Sequence, residues 1–462
     1  MDSSALIQEL KKTVICSITD EESALKSYGT DWTREFIPNP LAVIFPESVE
    51  DIRNIVIFAN KFSVPLVPSG GRTGLSGGAV ACEKELVVSL DRMKQIIDFN
   101  ETDRLLTVQA GVTTQEIQEF AEKHNLSYPI DLSSKGSSQI GGNIATNAGG
   151  LHVIRYGLTR NWVKGLMVVT GNADILDLNK GLTKNATGYD LKDLFIGSEG
   201  TLGIICEATV ELADKPRDSV NMLLSVSDIS RSGEILKLFR NNFILNAFEF
   251  FSDSAVKHIN TISKTKFPLK NSPYYFLIDI ECSSDKELLK AESIYNELNS
   301  DGIIVEGVIS QNNKQYNELW SFRENITESI SVFLTYKNDI SVRPSQIPLF
   351  INDIENIINI EYPDFDTILF GHIGDGNIHI SILKPHSYDK SDFLNFCKEV
   401  NNHLYRIVAK YGGSVSAEHG VGIIKRPYLM YTRTAKEIEI MKNIKSIFDI
   451  NNIMNPGKIF PS

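Results

Sequence analysis

Two histidines flank a glycine-rich turn in the stretch 370-FGHIGDGNIHI-380. Asp375-Gly376 is a favoured dipeptide for a two-residue type I′ hairpin turn. Such a turn would place His372 directly opposite His379 on one face of the hairpin, with Cβ atoms about 4.5–5.5 Å apart. Two imidazoles at that separation can bind one divalent ion, although they could instead stack on each other or hydrogen-bond the backbone. The pair therefore predicts a metal site only if a third ligand lies nearby.

A candidate third ligand lies in 414-SVSAEHGVG-422, where Glu418 precedes His419 among small residues. Small side chains let a backbone approach a site closely. An imidazole side chain in general titrates near neutrality, so His419 is a candidate general base. Its alternative role is that of a structural histidine beside the site. Asn377, inside the glycine turn, is a candidate for substrate contact or for turn formation alone.

A candidate anion grip lies in 320-WSFRENITESI-330, which predicts a helix with Arg323 and Thr327 four residues apart on one face. A planar guanidinium can hold a carboxylate through two hydrogen bonds. From these residues alone, an ordinary exposed arginine paired with Glu324 or Glu328 is the favoured explanation. The net charge of −12 means that an anionic substrate would need such local cations.

Three glycine-rich loops precede this half of the chain. The first, 70-GGRTGLSGG-78, has five glycines in nine residues, which lets backbone N–H groups turn inward and bind phosphate oxygens. It matches neither a Walker A loop nor a Rossmann fingerprint, and a plain surface turn is the alternative. The loops 136-GSSQIGGNIATNAGG-150 and 197-GSEGTLGII-205 add polar and glycine residues. Together the three loops predict a cradle for a long polar ligand such as a dinucleotide.

Hydrophobic periodicity predicts an α+β protein in two halves. In the first half it indicates a helix capped by Ser48 and several strands and turns; the segments are 47–62, 64–69, 85–90, 104–125, 166–178 and 202–213. A domain boundary is predicted at 214-DKPRD-218. The second half predicts an open, mostly antiparallel sheet with helices on one face; its strands are 221–227, 274–282, 303–310 and 366–373, and its helices 228–240, 284–299, 312–331 and 389–410.

Composition excludes several classes of protein. The five cysteines are scattered without a C-x-x-C pair, which argues against a disulfide framework or an iron–sulfur cluster. No apolar run approaches the roughly 18–20 residues of a membrane span, and the N-terminus resembles no targeting signal. The acidic net charge disfavours nucleic acid as a partner. We expect a cytoplasmic protein, with peripheral contact at the inner membrane left open.

Long motifs add a family resemblance. The stretches 68–78, 129–150 and 187–205 resemble the FAD-linked oxidases of the vanillyl-alcohol oxidase type, and within them the D-2-hydroxyacid dehydrogenases of the D-2-hydroxyglutarate, D-lactate and glycolate types. The resemblance implies a two-subdomain FAD-binding domain of the PCMH type at 1–215. It also implies a substrate-binding cap domain at 216–425 and a C-terminal helical segment at 426–462 that returns to the FAD domain.

FAD is expected to bind without a covalent link, because the first loop carries Arg72 and Thr73 where some relatives have a linking histidine. The implied FAD contacts fall in the three loops and the C-terminal tail. They are Pro68, Gly70, Gly71, Arg72, Thr73, Gly74, Ser76, Pro129, Gly136, Ser137, Gly142, Asn143, Thr146, Gly149, Glu199, Gly200, Ile205 and Asn455; Lys458 is a weaker candidate.

The resemblance also implies roles in the second half of the chain. His372, His379 and Glu418 would bind a divalent metal, zinc or manganese, and His419 would be the base. Arg323, Thr327 and, a dozen residues on, Lys337 would hold the substrate. These extra donors favour D-2-hydroxyglutarate, a dicarboxylate, over D-lactate.

The implied reaction is hydride transfer from a 2-hydroxyacid to flavin. Electrons would then pass to an external acceptor: electron-transfer flavoprotein, a quinone or an iron–sulfur partner. Two other activities stay open, an oxidase that uses O₂ and an FAD subunit of a glycolate oxidase-type complex. A homodimer is also compatible with the sequence.

Overall fold

The computed structural model describes residues 3–461, which form two compact units. The first unit comprises the chain up to residue 150, residues 156–215 and the chain from residue 418 onward. The second comprises residues 151–155 and 216–417. The last segment of the first unit therefore begins at Glu418 rather than at residue 426. A five-residue piece that directly follows the second glycine loop belongs to the second unit.

Up to residue 215 the chain alternates short helices and strands. In chain order they are α1 (Ser3–Thr13), β1 (Ser17–Thr19), α2 (Glu22–Tyr28), β2 (Ala42–Phe45), α3 (Val49–Phe62), β3 (Leu66–Ser69), β4 (Leu86–Ser89), β5 (Ile96–Asn100), β6 (Leu105–Gln109), α4 (Thr114–Lys123), β7 (Leu126–Ser127), α5 (Ile140–Thr146), α6 (Val153–Tyr156), α7 (Thr159–Trp162), β8 (Val163–Thr170), β9 (Ile175–Leu178), α8 (Lys192–Phe195), β10 (Gly203–Glu211) and β11 (Ala213–Asp214).

Two sheets organise the first unit. The mixed sheet has the order β1-β2-β4-β3, with β2, β4 and β3 parallel to one another. The second sheet is antiparallel, in the order β5-β6-β10-β8-β9. Their buried side chains join in one hydrophobic core. This arrangement is consistent with the two subdomains expected of a PCMH-type domain.

The local sequence explains the elements that lead to the glycine loops. Helix α3 starts with a capping box, in which the Ser48 side chain accepts from the Asp51 N–H and the Asp51 carboxylate accepts from the Ser48 N–H. Its apolar face, including Ile52 and Ile55, is buried. The predicted helix at 47–62 is thereby confirmed, and the chain passes from it through β3 directly into the first loop.

The second unit and the C-terminal segment contain the remaining elements. They are a 3₁₀ turn (Ile229–Arg231) and, in chain order, β12 (Ser219–Val226), α9 (Ser232–Asn242), β13 (Leu245–Ser252), α10 (Asp253–Ile262), β14 (Tyr274–Glu281), α11 (Asp285–Ser300), β15 (Glu306–Ile309), α12 (Asn313–Glu324), α13 (Ile326–Ser329), β16 (Thr335–Ser341), a 3₁₀ turn (Pro344–Gln346), α14 (Ile347–Glu361), β17 (Thr367–Gly371), β18 (Asn377–Leu383), α15 (Lys390–Lys410), a 3₁₀ helix (Arg426–Tyr431) and α16 (Ala435–Phe448).

One sheet forms the frame of the second unit, in the order β15-β12-β14-β13-β17-β18-β16. Each neighbouring pair is antiparallel, as expected. Helices cover both faces rather than one. Trp320 of α12 donates to Asp279, whereas Tyr405 of α15 donates to Asn338, whose side chain points to the opposite face. The reason is that β14 is buried along its whole length, so both of its faces need cover.

The structure also contains elements that the sequence did not predict. Strands β13 and β16 and helices α10 and α14 of the second unit were not expected. The helix expected at 312–331 is broken at Asn325, between α12 and α13. Strand β13 lacks alternation, because seven of its eight residues are buried; a strand covered on both faces shows no period of two. None of the helices among residues 3–461 has the combination of length and apolar character that crossing a membrane requires.

Candidate active site

The glycine turn is longer than the sequence predicted. Phe370, not His372, is paired with His379, and β17 and β18 are joined through a five-residue connection at 372–376 instead of a two-residue turn. The loop is shaped by tertiary contacts, since the Gly374 N–H donates to the Phe248 carbonyl of β13. The expected direct opposition of the two histidines was therefore wrong by two residues.

A shift of two residues keeps side chains on the same face, and the histidines still meet. The ring centroids of His372 and His379 lie 5.5 Å apart at an interplanar angle of 85°. One ring nitrogen of each lies within 4.8 Å of the other. Both side chains are largely buried. The pair can thus present two nitrogens to one ion.

A buried carboxylate orients the first histidine. Glu249, on β13, is 1% exposed, and its two oxygens lie 2.9 and 2.7 Å from Nδ1 of His372. The contact at Nδ1 fixes the orientation of the imidazole ring. Burial raises the pKa of Glu249, but the adjacent His372 and Arg323 outweigh that effect and hold it below the usual value.

The same carboxylate holds the candidate anion grip. Nη2 of Arg323 lies 2.9 Å from Glu249 Oε2, and the guanidinium lies 5.1 Å from the ring centroid of Phe370. Arg323 is 6% exposed, and its Nε is buried without a hydrogen-bond partner. A buried guanidinium with an unused N–H is suited to an anionic ligand.

A second carboxylate stands beside the other histidine. Asp339, on β16, is fully buried, and its Oδ1 lies 3.7 Å from Nδ1 of His379. It also accepts from the side-chain amide of Asn377 at 2.9 Å and from the Ala417 N–H at 3.2 Å. The amide nitrogen of Asn377 is therefore occupied, while its Oδ1 is buried without a hydrogen-bond partner and can accept from a ligand hydroxyl.

The other predicted substrate residues are less enclosed. Thr327 is exposed and is the second residue of α13, just beyond the break that separates α12 from α13. Lys337 is on the same face of β16 as Asp339, two residues earlier. Removal of water from around the Lys337 ammonium lowers its pKa, even though the residue as a whole is exposed.

Glu418 and His419 follow the point at which the chain leaves the second unit. They are the first residues of the last segment of the first unit, directly after Ala417 of the second, and both are partly buried. Because the Ala417 N–H donates to Asp339, the chain just before Glu418 is fixed at the strand that neighbours His379.

The first unit contains a cleft formed by the three glycine loops. Most predicted FAD contacts line it: Pro68, Gly70, Gly71, Arg72, Thr73, Gly74, Ser76, Gly142, Asn143, Thr146, Glu199, Gly200 and Ile205. A Cβ added to Gly142 would meet no atom within 4 Å, so this glycine leaves space in the cleft. A Cβ at Gly71 would lie 2.0 Å from the Ser137 carbonyl oxygen, so the first two loops touch through their backbones. These features fit an extended cofactor such as FAD.

A buried carboxylate fastens the last segment to this cleft. Oxygens of Glu199 accept from the backbone N–H groups of Val421 and Gly422 at 2.6 and 2.8 Å. The Ser76 carbonyl accepts from Ile423 at 2.9 Å. Burial raises the pKa of Glu199, and the two backbone hydrogen bonds offset part of the rise. The carboxylate of Glu199, predicted as an FAD contact, is thus used to hold the chain that follows His419.

The remaining predicted FAD contacts lie outside the cleft lining. Gly136 and Ser137 are exposed, whereas Pro129 and Gly149 are buried. Asn455 is buried, and its side-chain amide donates to the carbonyls of Gly78 and Glu199, which ties two loops together. Its Oδ1 has no hydrogen-bond partner among residues 3–461.

Sequence reasoning missed Glu249 and Asp339. A signal was present for Glu249, because 245-LNAFEFFS-252 places one carboxylate in an otherwise apolar run. Carboxylates are almost never fully buried unless paired, so this pattern indicates a special partner. Asp339 gave no such signal, since it follows the polar residues Lys337 and Asn338.

Comparisons with known proteins agree with this architecture. Residues 215–459 match the family described as "FAD linked oxidases, C-terminal domain". Residues 40–179 match the family described as "FAD binding domain". The first match covers more than half of the chain. The chain belongs to the FAD-linked oxidase family.

Several curated relatives of this FAD-linked oxidase are similar along nearly their whole length. It is 50% identical to the D-2-hydroxyglutarate dehydrogenase of Stutzerimonas stutzeri, with all of both chains covered. It is 46% identical to the enzyme of that name from Xanthomonas citri, over 95% of this chain and 93% of the relative. The mitochondrial D-2-hydroxyglutarate dehydrogenase of Danio rerio is 33% identical, over 96% and 83%.

Solved structures support the fold of the FAD-linked oxidase. A p-cresol methylhydroxylase matches with a TM-score of 0.76 at 14% identity, over 99% of this chain and 97% of that one. The 4-ethylphenol oxidase from Gulosibacter chungangensis matches with a TM-score of 0.74 at 18% identity and the same coverage. At these identities the likeness concerns the fold alone.

Proposed function

We propose that this chain is an FAD- and metal-dependent dehydrogenase that oxidises a D-2-hydroxyacid to the 2-oxoacid, with D-2-hydroxyglutarate as the favoured substrate. The observation that carries the proposal is one face of the second unit's sheet. It presents a pair of convergent imidazoles, His372 and His379, and a buried guanidinium, Arg323, with an unused N–H. The two relatives named D-2-hydroxyglutarate dehydrogenase support the same substrate class.

His372, His379 and Glu418 are the proposed ligands of a divalent ion, zinc or manganese. The donor set fits such an ion, since each of the three residues offers a ligand atom and these atoms lie within 4.8 Å of one another. When bound, the ion would polarise the substrate hydroxyl and lower its pKa. Glu418 follows Ala417, whose backbone is tied to Asp339 on the strand beside His379.

Arg323 is the proposed partner of the substrate carboxylate. Its burial removes competing water, so a charge-assisted hydrogen bond from Nε is stronger than it would be at the surface. Lys337 is the proposed partner of the second carboxylate of a dicarboxylate, with Thr327 contributing a hydroxyl. Lys337 lies two residues from Asp339 on the same face of β16, which places it on the face of the sheet that carries His379.

His419 is the proposed base that takes the hydroxyl proton, and Asn377 accepts a hydrogen bond from the substrate through its free Oδ1. The residues that line the cleft of the first unit would hold FAD, which would supply the hydride acceptor. An external acceptor would take the electrons, and electron-transfer flavoprotein, a quinone and an iron–sulfur partner are the candidates.

The test is anaerobic reduction of the bound flavin by a panel of D- and L-2-hydroxyacids, followed as bleaching of its visible absorption. We expect bleaching by D-2-hydroxyglutarate, less by D-lactate and none by the L-enantiomers. His372→Ala should abolish bleaching while FAD stays bound. His403→Ala, which removes an exposed histidine, is the control. Bleaching by the L-enantiomer, or an unaffected His372→Ala variant, would overturn the proposal.

Two further measurements separate the alternative activities. Fast reoxidation of the reduced flavin by air would favour an oxidase. Failure of the purified chain to reduce a dye with any 2-hydroxyacid would favour a subunit that depends on a complex.

A further inference from the structure

Glu249 occupies a position that the proposed reaction does not by itself explain. It lies in the middle of β13, a strand that is buried almost throughout, and is 1% exposed. Its neighbours in the strand, Phe248 and Phe250, are fully buried aromatic residues. Burial of a carboxylate costs several kcal/mol unless its oxygens are well paired, so an apolar residue would be the stable choice here.

The pairing of Glu249 is divided between two different groups. Oε2 lies 2.9 Å from Nη2 of Arg323 and 2.7 Å from Nδ1 of His372, and Oε1 lies 2.9 Å from the same Nδ1. Arg323 comes from α12, and His372 comes from the end of β17. One carboxylate therefore joins three elements that are far apart in sequence and fixes two side chains of distinct proposed function.

We propose that Glu249 is a positioning residue that couples the grip on the substrate carboxylate to the metal site. This inference rests on the proposed function, in which Arg323 binds the carboxylate and His372 binds the ion. Glu249 does not touch either ligand. It acts by setting the tautomer and ring orientation of His372 and by holding the guanidinium of Arg323 with its Nε edge unoccupied.

The arginine and the proposed metal site are both positive, and one negative charge at Glu249 lies between them. Without a negative charge at Glu249, Arg323 would be a buried, uncompensated cation next to a site that must accept a second cation. With Glu249 in place, the arginine can lie close to the metal ligand without repelling the metal. Coupling follows, because any change at Glu249 alters the metal site and the anion site together.

The test compares Glu249→Gln and Glu249→Asp with the wild type. Gln keeps the size of the side chain but loses the charge, and Asp keeps the charge but is one methylene too short to reach both partners. Glu281→Gln is the matched control, because Glu281 is also buried in the same sheet and paired with an arginine, Arg155.

Folding of each variant is checked by retained FAD absorbance and by thermal unfolding. Two further measurements are needed. Zn²⁺ and Mn²⁺ affinities are measured by chelator competition on protein freed of metal. KM and kcat for D-2-hydroxyglutarate are measured at saturating metal. For Glu249→Gln we expect metal Kd to rise about 10- to 100-fold and KM to rise while kcat falls less. Glu249→Asp should restore part of the metal affinity, and Glu281→Gln should change neither quantity.

Four outcomes decide the inference. An unchanged metal Kd in both Glu249 variants would overturn it, as would a wild-type KM at saturating metal, since coupling requires both effects. Equal effects in Glu281→Gln would reduce Glu249 to a general structural role and would also overturn it. If the wild-type chain binds no metal more tightly than His372→Ala does, the proposed metal site fails instead; that result is visible before any Glu249 variant is compared.

Discussion

Gly142→Ala is the sharpest test of the FAD cleft. Gly142 lies inside helix α5 and lines the cleft, and a Cβ built there meets no protein atom within 4 Å. The added methyl group would therefore project into space that the protein itself leaves open. The substitution should leave the fold intact and obstruct the cofactor.

The substitution should change the free energy of unfolding of the flavin-free protein and the free energy of FAD binding in opposite directions. Replacing a glycine by alanine in a helix interior stabilises a protein by about 0.5–1 kcal/mol, and here no clash opposes the gain. Inserting a methyl group into a filled, well-packed interface costs about 1–3 kcal/mol. The cost falls on FAD binding alone, which corresponds to an FAD Kd about 5- to 150-fold higher than that of the wild type.

The assay has two parts on flavin-stripped protein. Thermal unfolding without FAD should show a midpoint equal to or above that of the wild type. Titration with FAD, followed by quenching of flavin fluorescence, should show the weaker Kd. Gly233→Ala is the control, because that glycine also has open space around its Cβ but lies on the exposed surface of helix α9.

Wild-type FAD affinity in Gly142→Ala would refute the reasoning, since it would mean that the cofactor does not contact this part of the cleft. A lower unfolding midpoint without FAD would refute it in another way. The space beside Gly142 would then be needed by the protein itself.

Three other perturbations should be informative. Gly71→Ala places a Cβ 2.0 Å from the Ser137 carbonyl oxygen, so flavin-stripped protein should lose about 1–3 kcal/mol of unfolding free energy in urea. Burial raises the pKa of Glu199. The stability that Glu199 contributes is therefore fully present below the pKa of free glutamate, about 4.3. It is lost as the pH rises through the higher pKa of the folded state. Glu199→Gln should therefore lose less stability than the wild type as the pH is raised from about 4. Asp449→Ala leaves the Lys445 ammonium, which lies 2.5 Å from the Asp449 carboxylate, without its buried counter-ion, and should cost about 3–5 kcal/mol in urea unfolding.

The Asp449 and Glu199 variants each have a control on the surface. Asp353→Ala removes an ion pair with an exposed lysine and should cost less than about 1 kcal/mol. Glu437→Gln should change the pH profile in the opposite sense, because a hydrogen bond from the Thr434 backbone lowers the pKa of Glu437. A Gly71→Ala variant as stable as the wild type, a Glu199→Gln profile parallel to the wild type, or an Asp449→Ala cost equal to that of Asp353→Ala would contradict the respective argument.

Local sequence signals predicted much of the fold. The capping residues of α3 and its buried face define that helix from residues 48 to 62 alone, because a cap and a period of 3.6 are properties of a short segment. The glycine loops can also be identified from the sequence, since only glycine tolerates so much close backbone contact. Strand β13 escaped prediction, because its burial on both faces removes the alternation that identifies a strand.

For the site, the sequence by itself determined which chemical groups are available: two histidines around a glycine turn, an arginine, a Glu-His pair and three glycine loops. The tertiary structure decided how they meet. The hairpin register was set by contact of its loop with β13, not by the Asp-Gly dipeptide. The proposed role of Glu249 depends on tertiary contacts, because β13 pairs with β17 and Glu249 contacts Arg323 of α12. Such partners are distant in sequence, and the free energy that selects them comes from burial and ion pairing across the sheet, which no local pattern encodes.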